Sequence, residues 1–356
     1  MKSNRYKQVL VKANMPLRVA LKHMDEAALQ ILIVVDNKNR LKGILTDGDI
    51  RRTIISSKDL DIPVEFIMTK KPITISDPAN KDEALNLMKL HNIRHIPVVN
   101  KENKVIGLFL WNDFLNDGKI KYDVKDTPVV IIAGGKGTRL DPFTKILPKP
   151  LIPVGDKPII EKIMHTFQKY GFYRFIISLN YRAEMIKSYF SENPDKYQID
   201  FIEEKEFLGT AGSLSITKEK LNSTFFVSNS DIIVDANFDN LLDYHCKTKN
   251  HITILGIIRY IKIPYGVIKI KNENFYEIAE KPEHYFIINS GIYILEPDIV
   301  ELVPENQSMD MTNLILSAKK KKFKVQVYPI SCSWFDIGDW KDYQRALEYL
   351  KKYSDF

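Results

Sequence analysis

One pattern stands twice in the first 120 residues, 64 positions apart. "ALQILIVVDNKNRLKGILTDGDIRR" begins at Ala28, and "NIRHIPVVNKENKVIGLFLWNDFL" begins at Asn92. Each copy predicts a strand, an Asn/Lys turn, a second strand, then a helix whose start carries Asp49 or Asp113. Ahead of them, "PLRVALKHM" and "NKDEALNLMKLH" space their apolar residues as helices do, and "DIPVEFIMTKKPITISDP" joins the two units. The front of the chain is therefore bound to be two like units.

This repeat resembles a tandem pair of CBS domains, which implies a pseudo-dimer able to bind adenine nucleotides in the cleft between copies. The family's ribose motif, Gly-apolar-apolar-Thr/Ser-x-x-Asp, is met by "GILTDGD", which puts Thr46 and Asp49 forward as ligand contacts. "GLFLWND" keeps Asp113 but has Leu110 in place of the hydroxyl. A purely structural or dimerising module, with Asp49 and Asp113 as helix N-caps, stands beside ligand sensing. The resemblance also implies a homo-oligomer.

The polar stretch "DGKIKYDVKDTP" ends the repeat, and the pattern changes at Val129. The expected division is a regulatory module over 1–120, a linker over 121–127 and a second domain over 128–356. From there short apolar strands alternate with amphipathic helices: "PVVIIA", "IIEKIMHTFQKYG", "RFIISLN", "EMIKSYFSE", "IDFIEE", a helical "GSLSITKEKL", and "TFFVSNSD". Such alternation predicts an α/β fold with a largely parallel sheet. "ITILGIIRY", "YGVIKI" and "FIINSGIYIL" read as a later antiparallel insertion on that sheet.

Ligands of α/β sheets bind beyond the carboxyl ends of strands. There Gly134, Gly135 and Gly137 let backbone amides approach a phosphate, Thr138 adds a hydroxyl, and Arg139 a forked cation. A dinucleotide fingerprint would need glycine where Leu140 stands, and no Gly-Lys-Ser/Thr follows at P-loop spacing. Prolines on both sides of Lys149 stiffen its backbone and make it a positioned charge.

The stretch "AGGKGTRLDPFTKILPKPLIPVGDKP" resembles the signature of the sugar-1-phosphate nucleotidylyltransferases. "LGTAGSL", "NSD", "YGVIKI", "EKP", "NSGIYIL" and "WFDIGD" follow in order. The resemblance implies a Rossmann-like nucleotidyltransferase domain with a mixed, mainly parallel sheet behind the CBS pair. It implies transfer of a nucleoside monophosphate to a hexose 1-phosphate with release of pyrophosphate. Arg139 would steady the triphosphate, and Lys149 would bridge the α-phosphate and the sugar phosphate. Asp231 and Asp336 would hold Mg²⁺, a hard cation suited to carboxylate and phosphate oxygens. Gly209, Thr210 and Gly212 would meet the base; Gly266, Glu280, Lys281 and Asn289 would line the sugar pocket.

The "LGTAG" form is similar to the mannose-1-phosphate guanylyltransferase branch. CBS domains fused ahead of such a transferase are similar to glucosamine-1-phosphate guanylyltransferases, which make GDP-glucosamine on the route to legionaminic acid. GTP and glucosamine 1-phosphate are the expected substrates; mannose 1-phosphate, glucose 1-phosphate, UTP and dTTP remain alternatives. A non-catalytic adenine-nucleotide sensor is the alternative of another class.

The formal charge of +7 favours small anionic substrates, while nucleic acid would call for a reader motif that the chain lacks. No apolar run reaches bilayer length, and two cysteines without CxxC spacing suit a reducing cytoplasm. His91 and His95, four apart, read as a chance pair with no zinc role.

Overall fold

The computed structural model describes residues 4–27, 29–56, 60–91, 93–116, 122–192 and 197–352. Ala28 and Asn92, where the two repeats begin, residues 117–120 at the end of the expected regulatory module, and residue 121, the first of the expected linker, lie outside the described residues. Two compact units emerge, and neither is continuous in sequence. The first comprises Met1–Phe114, Gly256–Ile288 and Pro329–Cys332; the second takes the remainder.

In the first unit the chain runs β1 (Leu10–Lys12), α1 (Leu17–Ala27), β2 (Ile31–Val35), β3 (Leu41–Thr46) and α2 (Asp47–Ile55). It then repeats as β4 (Ile75–Ser76), α3 (Lys81–His91), β5 (His95–Val99), β6 (Val105–Leu110) and α4 (Trp111–Asn116). In both copies the first strand pairs parallel with the second, and the second antiparallel with the third, with a register shift at Val34/Val35 and at Val98/Val99.

The turns explain why the copies match. Asp36 Oδ1 accepts the amides of Lys38 and Arg40 at 2.8 and 2.9 Å, and Asn100 Oδ1 those of Glu102 and Lys104 at 3.0 and 2.9 Å. Asn39 and Asn103 then take left-handed φ of 58° and 59°. The two turns also bond each other: Leu41 N–H donates to Asn103 O at 2.9 Å and Val105 N–H to Asn39 O at 3.2 Å. Val9, Leu17, Leu21, Met24, the whole of β2 and Val105 share one buried core, which Ile258 and Tyr260 join from far along the chain.

The second unit starts at β7 (Val129–Ala133), followed by the short β8 (Pro153–Val154) and β9 (Lys157–Pro158) and by α5 (Ile159–Gln168). Next come β10 (Arg174–Leu179), α6 (Ala183–Ser191), β11 (Gln198–Glu203), the short α7 (Gly209–Gly212) and α8 (Leu214–Thr217), β12 (Phe225–Asn229), β13 (Ile232–Val234) and α9 (Phe238–Thr248). The chain continues through β14 (Ile252–Lys262), β15 (Val267–Lys271), β16 (Asn274–Ala279), β17 (Glu283–Leu295), α10 (Met311–Lys320), β18 (Val325–Ile330), β19 (Trp334–Asp336) and α11 (Trp340–Lys352). Seven strands form the central sheet in the order β11-β10-β7-β12-β17-β14-β18. β11, β10, β7 and β12 are mutually parallel, and β17 runs antiparallel to β12. Buried on both faces, β7 reads as the unbroken apolar run Val-Val-Ile-Ile-Ala that a central parallel strand requires.

One sequence expectation is corrected. "YGVIKI" does not extend the central sheet: β15 pairs with β16, as a separate hairpin. "GSLSITKEKL" is helical as expected, in short pieces: the end of α7, α8 and a 3-10 turn at Lys218–Lys220.

Candidate active site

Beyond the carboxyl end of β7 the chain enters the glycine loop. A side chain on Gly134 would stand 3.0 Å from Glu204 Oε1, whereas Gly135 faces open space. Gly137 has φ +67°, and a Cβ there would meet Lys149 Cβ at 2.9 Å and Thr144 Cγ2 at 3.0 Å. Glycine at 137 thus lets the loop lie directly on Lys149. Thr138 and Arg139, both exposed, open a single 3-10 turn, and the Arg139 guanidinium rests where a Gly338 side chain would be.

Lys149 is buried between Pro148 and Pro150, and its Nζ lies 2.5 Å from Asp231 Oδ2. Asp231 occupies the turn between β12 and β13. Backbone pairing then brings in Asp336: β13 runs antiparallel to β19 with Ile232 opposite Asp336, and Ile337 N–H donates to Asp231 O at 2.9 Å. Local ladder geometry, not side-chain attraction, holds the two acids together.

Their electrostatics are unbalanced. Burial pushes the Asp336 carboxyl above its usual range, the negative Asp231 adds to that, and Lys149 and Arg139 only partly offset it. Asp231 Oδ1 and Asp336 Oδ1 are both buried with no hydrogen-bond partner. Two orphaned carboxylate oxygens beside one lysine fit a hard divalent cation. Among the described residues no group of three or more His, Cys, Asp or Glu is placed to hold a metal ion.

Gly209, Thr210 and Gly212 are brought together in α7, but the space over the two glycines is taken. A Cβ on Gly209 would lie 2.8 Å from Met309 O, and one on Gly212 2.7 Å from Gln307 O. Ala211 and Gly212 donate their amides to Met309 O, and Thr210 Oγ1 accepts the amide of Met311 at 2.8 Å, at the start of α10. The small residues of "LGTAG" are thus accounted for by a close-lying backbone. Segment 307–311 was not singled out from sequence, nor was Glu204. That buried acid accepts from Ser178 Oγ at 2.7 Å and from Leu208 N–H at 2.9 Å, under Gly134.

The sugar-pocket candidates divide between the units. Asn289 belongs to the second, donating to Tyr293 Oη at 2.8 Å and accepting the Gly291 amide at 3.2 Å. Gly266, Glu280 and Lys281 belong to the first. There Glu280 Oε2 lies 3.0 Å from where a Gly266 Cβ would stand, and Lys281 has φ +46°.

In the CBS repeats the structural role of Asp49 differs from the expected one. Thr46 is the N-cap, and Asp49 is the third helical residue of a capping box. Its Oδ2 accepts from Thr46 N–H at 2.8 Å and Thr46 Oγ at 2.7 Å, and Arg52 holds Oδ1. Asp113 repeats half of this, accepting the Leu110 amide at 3.4 Å and facing Arg5 at 3.6 Å. Leu110 has no hydroxyl to complete the box.

The nucleotidyl transferase family profile matches residues 128–352, and the CBS domain profile matches 6–56 and 64–117. A mannose-1-phosphate guanyltransferase of Yarrowia lipolytica is 34% identical over 225 residues, covering 60% of this chain and 61% of that protein. The chain thus spans about three fifths of the length of the curated relatives it matches. Among solved structures, HddC from Yersinia pseudotuberculosis is 30% identical with a TM-score of 0.51, over 63% of this chain and 99% of its own. HddC complexed with GMP-PN aligns at 29% identity with a TM-score of 0.50 over the same shares. No described helix is long and apolar enough to cross a membrane.

Proposed function

We infer, for a chain that belongs to the nucleotidyl transferase family and carries two CBS domains ahead of it, a sugar-1-phosphate guanylyltransferase. In this reading residues 1–120 regulate, 121–127 link and 128–356 catalyse. The observation that carries it is the cluster of Lys149, Asp231 and Asp336, with its two unpartnered carboxylate oxygens. Guanine is favoured because the named relatives are guanyltransferases and HddC has been solved with GMP-PN.

A phosphate oxygen of the sugar 1-phosphate attacks the α-phosphorus of GTP. The bond from that phosphorus to the bridging oxygen breaks, and pyrophosphate leaves with the electron pair. Nucleophile and electrophile are both anionic, so positioned charge does most of the work. Lys149, fixed by the glycine loop, lies between the two phosphates and offsets the charge where they meet. Arg139, exposed at the loop's end, takes the departing pyrophosphate. Asp231 and Asp336 would hold a divalent ion such as Mg²⁺, which supplies further neutralisation at phosphate oxygens. Gly209, Thr210 and Gly212 are proposed to border the base, and Asn289 the sugar.

For the sugar we favour glucosamine 1-phosphate, because of the CBS pair fused ahead of the transferase. Mannose 1-phosphate is the second reading, supported by the names of the relatives. The CBS pair is proposed to take one adenine nucleotide, at the repeat that keeps Thr46 with Asp49. Pyrophosphate release with Mg²⁺, measured for GTP, UTP and dTTP against glucosamine, mannose and glucose 1-phosphates, tests all of this. Release confined to GTP with one hexosamine or hexose phosphate supports the reading and names the sugar. Release only with another base overturns the donor; none from folded protein leaves the sensor reading in its place.

A further inference from the structure

A Cβ on Gly338 would stand 3.0 Å from Arg139 Nη2 and 3.1 Å from both Cζ and Nη1. Three near-equal distances put that point above the guanidinium plane, so the group lies face-on to the glycine. Gly338 keeps a φ outside the left-handed region, so its backbone conformation does not call for glycine. The space does, because any side chain there would meet the cation. Held by its face, Arg139 keeps its N–H edges for a ligand; among the described residues it has no hydrogen-bond partner.

The turn that carries Gly338 is anchored on both sides. Ile337 before it is buried and donates its amide to Asp231 O at 2.9 Å. Asp339 after it caps α11: its Oδ1 accepts the amides of Lys341 and Asp342 at 2.9 and 3.0 Å. The Asp342 amide first, then that of Lys341 and the nearby Arg139, hold the Asp339 carboxyl below its usual range.

The first residue of α11 takes hold of the loop that carries Arg139. Trp340 Nε1–H donates to Asp141 O at 3.3 Å, two residues beyond Arg139, and its ring centroid lies 4.7 Å from that of Phe143. Tyr343, edge-on to Trp340 at 5.6 Å, donates its hydroxyl to Pro153 O at 2.8 Å. The farther stretch of the loop has ties of its own: Tyr181 Oη–H donates to Thr144 O at 3.0 Å and Arg182 Nη2 to Lys145 O at 2.6 Å. Loss of Trp340 would therefore free the end that carries Arg139 and leave the rest in place. All of these residues belong to the second unit.

We propose that Gly338 and Trp340 are positioning residues for the transfer and act through Arg139. The glycine is a flat floor for the guanidinium, and the tryptophan fixes the loop end from which that side chain extends. The floor lies two residues after Asp336, so the cation is set by the same turn that carries one of the two site acids. This rests on the reading of Arg139 as the group that meets the triphosphate and the departing pyrophosphate.

The test uses the full chain and three readouts: the melting curve, kcat and KM for GTP and the sugar phosphate, and the inhibition constant of pyrophosphate. Gly338→Ala meets only the far end of a flexible side chain and should melt as the parent does. Its KM for GTP and its pyrophosphate constant should each rise about fivefold as the cation is displaced, with KM for the sugar phosphate within about twofold. Trp340→Leu should move the same two constants, and Trp340→Phe, which keeps a ring on Phe143, should restore them to within about twofold. In an Arg139→Ala background, Gly338→Ala should change either constant by less than about twofold, because the group it displaces is gone. Parental constants in Gly338→Ala or in folded Trp340→Leu would overturn the proposal. So would an equal rise in KM for the sugar phosphate, or an undiminished effect of Gly338→Ala without Arg139. Should Trp340→Leu not fold, the two Gly338 measurements decide. Arg139→Ala alone separates the two layers. If its constants are parental, the reading of Arg139 fails; if it raises both while Gly338→Ala raises neither, only the positioning role fails.

Discussion

Lys149 Nζ lies 2.5 Å from Asp231 Oδ2, although 82 residues separate them in the chain. The lysine is preorganised against an acid, on a backbone braced by two prolines and by Gly137. Lys149→Met should lower kcat by about 10²–10³-fold, in the manner of a lost charge-stabilising donor. Leaving Asp231 Oδ2 without its partner should also destabilise the fold by about 1–3 kcal/mol. Steady-state kinetics and urea unfolding of one preparation read both effects.

Asp336→Asn has opposite consequences for the two quantities. Removing a negative charge from beside Asp231 relieves the repulsion that helps hold the Asp336 carboxyl up. Without divalent ions the variant should therefore melt slightly higher, by about 0.5–1 kcal/mol, while turnover collapses. A lower melting temperature with retained activity would contradict the arrangement.

The glycine loop offers a matched pair. Gly137→Ala places a Cβ against Lys149 at a left-handed φ, and should cost about 1–3 kcal/mol and most of the activity. Gly135→Ala meets nothing within 4 Å and should change stability little, so any loss of kcat/KM there reports on bound phosphate.

Thr46→Val dismantles the capping box of α2 and should cost about 1 kcal/mol. Adenine nucleotide titrated into the parent by calorimetry should saturate at one equivalent per chain, and this variant should weaken it. Leu110→Thr, which restores a hydroxyl in the second copy, tests whether a second equivalent can be gained.

Acid should destabilise the CBS pair through His95. Burial, with Arg94 beside it, lowers that imidazole from 6.5 to about 4. It stays neutral in the fold while the unfolded chain takes up a proton, so the stability present above pH 6.5 is lost as pH falls toward 4. The loss amounts to at most about 3 kcal/mol. Ile31 stands at the equivalent position of the first copy, so His95→Ile should flatten the pH dependence of the urea midpoint in this window. An unchanged slope would assign the effect elsewhere, for instance to His165, which is lowered to about 4 as well.

Local signals made much of this legible. The paired turns follow from Asp36 and Asn100 with Asn39 and Asn103, because such side chains replace backbone partners within four residues. The run Val129–Ala133 ending in glycines marked a central strand and its exit. What escaped was decided at long range. Nothing near Ser331 signals that Asp25 and Asp47 hold it, and nothing near "LGTAG" reveals the backbone of 307–309 above it. Glu204 was hidden for a similar reason: among Glu203, Glu204 and Glu206, only the packing of Ser178 and Leu208 selects one.

The discontinuity of the first unit bears on how the chain is made. Synthesis delivers both CBS repeats early, yet the core they share still lacks Ile258 and Tyr260, and Asp25 still lacks Arg259 and Ser331. Domains generally close from the N-terminus as they leave the ribosome. Here the front has to wait for residue 332, by which time nearly all of the transferase has been translated. A nascent chain cannot complete its first unit ahead of most of the second, and a premature stop in the back half at or before residue 332 removes part of both.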